Sequence, residues 1–316
     1  MHCFAMTAAV AALSLSPPGE NPPPYDLVDL TEDYARLFDQ TADMARDGRV
    51  ARIKAGLHEV FPGFYDTDRM NAIGISAERY HAWIAGSLES FPEIREPYRE
   101  TAGAFADMLA PAHASFLQTF PDLEPIGEIY ILHSLGEMDG GTRYINDRVM
   151  LVFGADRMAA SPITDWTAFF HHELFHVHHF QQAFTGCPQM WCYLWIEGLA
   201  THAAATLNPG ADDAELLLDW PEPIRDTVDA NMDEAVCAVS DRLDSEAPDD
   251  HAALFSTSRL NDRLPPRFGY YVGKLAAREA ARDMPLADLA KLTEDEARPV
   301  VERALGRLAE CADDGA

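Results

Sequence analysis

The chain has 316 residues, 47 % of them hydrophobic, enough to bury a substantial core. Its 52 acidic residues against 24 basic ones leave a formal net charge of −28, which excludes the basic face that a nucleic-acid partner requires. Beyond the N-terminus no apolar run is long enough to cross a bilayer, so no stable membrane insertion is expected.

Residues 1–24 carry an apolar stretch from Phe4 to Leu15 followed by Ser16-Pro17-Pro18-Gly19, the pattern of a short leader with no Lys or Arg ahead of it. This favours export, to the periplasm or beyond, over a cytoplasmic location. Residues 25–120 are expected to be a helical N-terminal region. Thr31-Glu32-Asp33 opens one amphipathic run and residues 94–120 form another, with no recognisable catalytic cluster among them. The prolines and acids of Phe120-Pro121-Asp122-Leu123-Glu124-Pro125 mark a boundary, and residues 121–316 form the second unit. It starts with two predicted strands, 128–133 and 148–154, joined by the turn-rich connector LGEMDGGTRYIND, in which Asp139-Gly140-Gly141 reads as a hairpin turn.

Next comes WTAFFHHELFHVHHFQQAF, where Trp166, Phe169, Phe170, Leu174, Val177, Phe180 and Phe184 recur at helical spacing. Thr164 and Asp165 offer caps at its start, and Thr185-Gly186-Cys187-Pro188 stops it. The run contains His172-Glu173-Leu174-Phe175-His176, an HExxH pattern. A shuffled chain of this composition would show that pattern with a probability of about 3 %, so the helical context is what gives it weight. Residues four apart on a helix point the same way, so the His172 and His176 imidazoles can share one ion. Glu173 stands beside them as a general base.

A second apolar helix follows, WCYLWIEGLATHAAATL, ending at Asn208-Pro209-Gly210. Glu197 sits in it among Trp195, Ile196, Leu199 and Ala200, where an unpaired carboxylate would be costly. Twenty-one residues after His176, it can return beside the histidines as a third ligand. Two imidazoles and a carboxylate suit one Zn2+ per chain, with a fourth position left for a water whose pKa the ion lowers to about 7. The glycine and third histidine of a metzincin are absent, since His179 and Gln182 stand in their places. His171, His178 and His202 face elsewhere and are read as non-ligands; His179, one turn on, is read as lining the helix.

At these residues the sequence resembles the gluzincins, the thermolysin-like and related metallopeptidases, whose signature is HExxH followed by a ligand Glu on a later helix. Trp195-Ile196-Glu197-Gly198-Leu199-Ala200 is similar to their E-G-x-A segment. Over its C-terminal two thirds the pattern is similar to a group of predicted zinc-dependent proteases of unknown substrate. The resemblance implies a zincin-like catalytic domain over 121–316 in an α+β, mostly α fold, with a small edge sheet that aligns a peptide substrate by strand addition. It also implies a Tyr downstream of Glu197 that hydrogen-bonds the oxyanion; Pro265-Pro266-Arg267-Phe268-Gly269-Tyr270-Tyr271-Val272-Gly273-Lys274 offers Tyr270 or Tyr271. Gly136-Glu137-Met138-Asp139 is similar to a segment of the aminopeptidases in this group, although the hairpin reading already explains it.

The expected function is therefore a zinc metallopeptidase acting on a peptide or protein, with His172, His176 and Glu197 as ligands and Glu173 as base. The alternatives are an aminopeptidase or other zinc hydrolase, or a non-catalytic zinc- or peptide-binding domain, which a closed site including His179 would favour. Of the five cysteines, Cys187 and Cys192 can pair across the loop between the two helices in an oxidising compartment; Cys3, Cys237 and Cys311 have no assigned partner.

Overall fold

The computed structural model describes residues 25–145 and 148–311, so residues 1–24, where a leader is expected, and Cys3 lie outside the described residues. The fold is α+β and about 59 % helical, with one small mixed sheet.

Residues 25–120 open on a strand rather than a helix, β1 (Tyr25–Asp29). Then come α1 (Thr31–Gln40), α2 (Arg46–Val60), α3 (Thr67–Ala72) and α4 (Ala77–Thr119). At 43 residues, α4 starts well before the expected run at 94 and continues through Pro92, Pro97 and Pro111. An interior proline costs a helix about 3 kcal/mol. Against that, Tyr80, Ile84, Leu88, Phe91, Tyr98, Phe105, Leu109 and Phe116 are all buried along one stripe, each contributing about 1.5–3 kcal/mol. Tertiary burial thus overrides local propensity. The Ser76 hydroxyl caps the first turn by accepting from the Arg79 amide.

Three more strands, β2 (Gly127–Leu132), β3 (Gly140–Ile145) and β4 (Arg148–Gly154), complete a sheet of order β1-β2-β4-β3. The two predicted strands exist, but they lie parallel, with Ile129 opposite Leu151, and are not arms of a hairpin. Parallel neighbours need the chain carried back between them. The connector does this with a strand of its own, β3, antiparallel to β4 with Gly140 opposite Phe153. Gly140 and Gly141 are therefore the start of β3, correcting the turn expected there. Glycine is needed because a Cβ at Gly140 would stand 2.6 Å from atoms of both Phe153 and Phe169. The reversal itself falls at 133–139, where the buried Asp156 carboxylate accepts from the Ser134 and Gly136 amides at 2.6 and 2.8 Å.

After α5 (Ala155–Ala159) the two apolar helices form as expected, α6 (Thr167–Gln181) and α7 (Met190–Leu207). Six more follow: α8 (Arg225–Ala230), α9 (Met232–Ser240), α10 (Pro248–Phe255), α11 (Phe268–Ala280), α12 (Leu286–Leu289) and α13 (Glu294–Leu308). β1 and β2 pair across the boundary placed at 120, and one core cluster holds Tyr34 and Phe91 together with Phe170 and Leu199. The early helices and the later ones share that interior.

The crossing of α7 and α11 is set by two glycines. A Cβ on Gly198 would lie 2.3 Å from the Gly273 carbonyl carbon, and one on Gly273 would lie 2.6 Å from the Leu194 carbonyl oxygen. Backbone cannot yield as a flexible side chain does. Gly198→Ala should therefore cost about 3 kcal/mol and lower Tm by roughly 5–10 °C. A melt unchanged from the parent would contradict this close crossing.

Candidate metal centre

His172 and His176 occupy successive turns of α6, a helix buried on nearly every side, among Phe169, Phe170, Leu174 and Phe175. Because α7 packs against α6, Glu197 arrives facing them. The two Nε2 atoms lie 3.0 Å apart, and Glu197 Oε2 stands 3.3 Å from that of His172 and 3.4 Å from that of His176. Ligand atoms about 2.0–2.1 Å from a tetrahedral zinc are themselves about 3.3–3.4 Å apart, so both Glu197 distances match such an ion and the two imidazoles need part by only a few tenths of an ångström. Among the described residues it is the group that could hold a metal.

No family model, curated protein or solved structure matches this chain.

The electrostatics of the cluster are those of a cation site. Burial pushes the Glu197 carboxyl up, but His176 and His172 beside it outweigh burial and hold it well below the usual carboxylate range. His176 is affected the opposite way: burial lowers it, and Glu197 and Glu173 more than reverse the effect. Glu173 lies beside the cluster, 6 % exposed, and its Oε2 is buried without a hydrogen-bond partner. Burial first, then Glu197 and Asp139, push its carboxyl up, while His172 and His176 pull it down. A carboxylate raised in this way is a stronger base than an exposed one.

These side chains open into a cleft of about 350 Å³ lined also by Gly140, Gly141, Thr142, Tyr193 and Tyr270. The strand at its rim is β3, the sheet's edge, and not either of the strands read from sequence. A Cβ on Gly141 would stand 3.6 Å from Glu173 Oε2, so β3 passes directly beside the base.

The structure separates the two candidate tyrosines. Tyr270 lines the cleft, and burial and then Glu197 hold its phenol well above its ordinary value. Tyr271 turns away, donating to Asp229 at 3.0 Å and standing under Arg225 and Lys274. The sequence reading did not single out Arg267, which lines the cleft with its guanidinium 4.5 Å from the centre of the Tyr270 ring. Its neighbours Pro265-Pro266 marked a helix start, but nothing local marked its burial.

The other histidines have structural partners. His171 Nε2 meets the Ser115 hydroxyl at 2.9 Å and the Ala112 carbonyl at 3.0 Å, fastening α6 to α4. His178 Nε2 reaches Asp122 at 3.0 Å. The Thr201 hydroxyl donates to the Glu197 carbonyl, a helix-packing bond that leaves the Glu197 carboxylate to the histidines. Cys187 and Cys192 are bonded across the α6–α7 loop, and Cys237 is bonded to Cys311, 74 residues later.

His179 does not join the cluster. Its ring stacks on Phe184 with centroids 4.7 Å apart, and neither nitrogen has a partner. Burial pushes its pKa down to about 3, with His176 and His178 adding to the effect. Its folded pKa lies below the unfolded value near 6.5, so it contributes nothing above pH 7, where it is neutral in both states. As pH falls through 6.5, the unfolded chain takes up a proton that the folded one refuses, and stability declines until about pH 3 by roughly 4–5 kcal/mol in all. His179→Phe should flatten the loss of stability between pH 6.5 and 4, measured by denaturant melts; a parallel curve would show that this ring takes up protons in the fold.

Proposed function

We propose that this protein is a zinc-dependent peptidase of the gluzincin kind. The observation that carries the reading is the convergence of His172, His176 and Glu197 at ligand spacing, with the buried Glu173 carboxylate beside them. Zinc bound there supplies Lewis-acid activation of water and of the scissile carbonyl.

The chain's own residues do the rest. Glu173 takes a proton from the attacking water as its oxygen bonds to the carbonyl carbon, and returns that proton to the amine as the C–N bond breaks. Tyr270, held protonated at any working pH, donates its O–H to the oxyanion that develops on the carbonyl oxygen. β3, as the edge of the sheet, offers backbone groups that can pair with an extended peptide and hold it across the cleft. The two disulfide pairs suit an oxidising compartment.

The test is cleavage of a mixed pool of N-acetylated hexapeptides by protein carrying one zinc per chain, read by mass spectrometry. Cleavage should stop with a chelator and return with zinc. Tyr270→Phe should lower kcat by about 10²-fold, whereas Tyr271→Phe should change it little. Zinc-loaded protein that cuts no peptide in the pool would remove the reading.

A further inference from the structure

The cleft continues past the metal cluster. Asp139, Leu217 and Arg267 line both it and a side pocket of about 210 Å³, whose other walls include Arg157, Asp219 and Trp220. Arg267 is 9 % exposed, and its Nη1 donates to the Trp220 carbonyl at 3.0 Å. Among the described residues no carboxylate comes within 4.0 Å of its guanidinium, or of that of Arg157, which lies 5.8 Å from the Trp220 ring.

That is unusual for this chain, where acids outnumber bases by 52 to 24. The other well-buried arginine of the region, Arg69, is held by Glu137 through bonds of 3.0 and 2.6 Å. A buried guanidinium without a counter-charge is costly, since buried charges are stable when paired. The backbone adds to the cost, because Arg267 sits in the left-handed region at φ 63°, which non-glycine residues rarely adopt. Asp139 and Asp219 line the same pocket beyond ion-pair reach of both arginines, so apart from the Trp220 carbonyl and the rings of Tyr270 and Trp220, no acidic group among the described residues engages the Arg267 guanidinium.

We infer that Arg267, with Arg157 behind it, forms a subsite for a carboxylate of the substrate, so that peptides with an acidic side chain or a free C-terminus near the cleaved bond are preferred. This rests on the peptidase reading of the metal cluster. A planar fork matches a carboxylate through two parallel hydrogen bonds, and such charge-assisted bonds are about twice as strong as neutral ones.

The test uses the full chain carrying Glu173→Gln and loaded with zinc, so that binding is read without turnover. Three pools of N-acetylated hexapeptides, randomised over neutral residues, serve as probes: C-terminal amides, C-terminal free acids, and amides containing one glutamate. The free-acid or the glutamate pool should be retained about tenfold better than the neutral amides, and which of the two is favoured identifies the source of the carboxylate. Adding Arg267→Met should erase the preference. Arg157→Met, on the half-buried rim, should weaken it several-fold and gives the deciding readout if thermal melts show that the Arg267 variant is unfolded. Equal retention of all three pools by the folded protein overturns the subsite, as does an unchanged preference in both arginine variants. Cleavage of the same pools with Glu173 intact separates the two readings. Carboxylate-selective binding without cleavage removes the peptidase and leaves the anion subsite; cleavage without preference removes the subsite alone.

Discussion

Glu173→Gln protein should bind zinc as the parent does and lose peptide hydrolysis by about 10²–10⁴-fold. The side chain touches none of the three ligand atoms' roles: His172, His176 and Glu197 remain, so metal content measured by elemental analysis should stay the same. What disappears is a buried carboxylate beside the cluster that can accept a proton. Its Oε2 has no hydrogen-bond partner, and an amide of the same shape fills the same space without a charge to bury. Folding should be unharmed for that reason, and the metal-free variant should melt at the parent temperature or slightly above it, because burying a carboxylate costs more than burying an amide. Full activity in a folded, zinc-loaded variant would remove Glu173 from the mechanism.

The second large effect is on the metal itself. Glu197→Ala should reduce bound zinc from about one per chain to almost none, and weaken affinity by well over about 100-fold, more than the loss of an outer partner of a ligand costs. Among the described residues Glu197 is the carboxylate that meets both imidazoles, at 3.3 and 3.4 Å. Without it two histidines remain, too few for a zinc site of the usual kind. Thermal melts give an independent measure. Zinc at about 1,000 times its Kd stabilises the folded state by about 4 kcal/mol, so the parent's Tm should rise with zinc while the variant's should not. Acid should release the ion as well, because His176 must give up its proton to bind it, and against the opposing effect of burial Glu197 and Glu173 keep that proton on the imidazole more firmly than on an ordinary histidine. Zinc retained by the variant would mean that the ion sits elsewhere.

How much of this could be read along the chain differs from element to element. The α6 helix and the His172–His176 pair are local patterns within some 20 residues, although the helix ends at Gln181, before the stop expected at Thr185-Gly186. Glu197 was legible from the cost of a lone carboxylate in an apolar helix, and the structure does bring it to the histidines. β3 was hidden because its residues, GGTRYI, carry turn glycines and little apolar alternation. Only the pairing with β4, and the tight approach of Phe153 and Phe169 to Gly140, make those residues a strand. The run expected over 94–120 already passed through Pro97 and Pro111; what it missed is that α4 starts at Ala77 and continues through Pro92, where burial outweighs the local cost of a proline. Tyr270 and Tyr271 could not be separated by sequence, being adjacent on one helix; the placement of α11 against α7 separates them.

By itself, the sequence determined the mostly helical class, the large excess of acidic over basic residues, and the setting of His172, His176 and Glu197 on two consecutive helices. Those properties depend on composition and on periods of a few residues, which hold in any fold the chain adopts. Only the tertiary structure decided which strand borders the cleft, which tyrosine enters it, that Cys237 meets Cys311, and that Arg267 is buried there without a counter-charge among the described residues. Each of those depends on contacts between residues far apart in the chain, fixed by close approaches such as that of Gly198 and Gly273, and no local pattern encodes them.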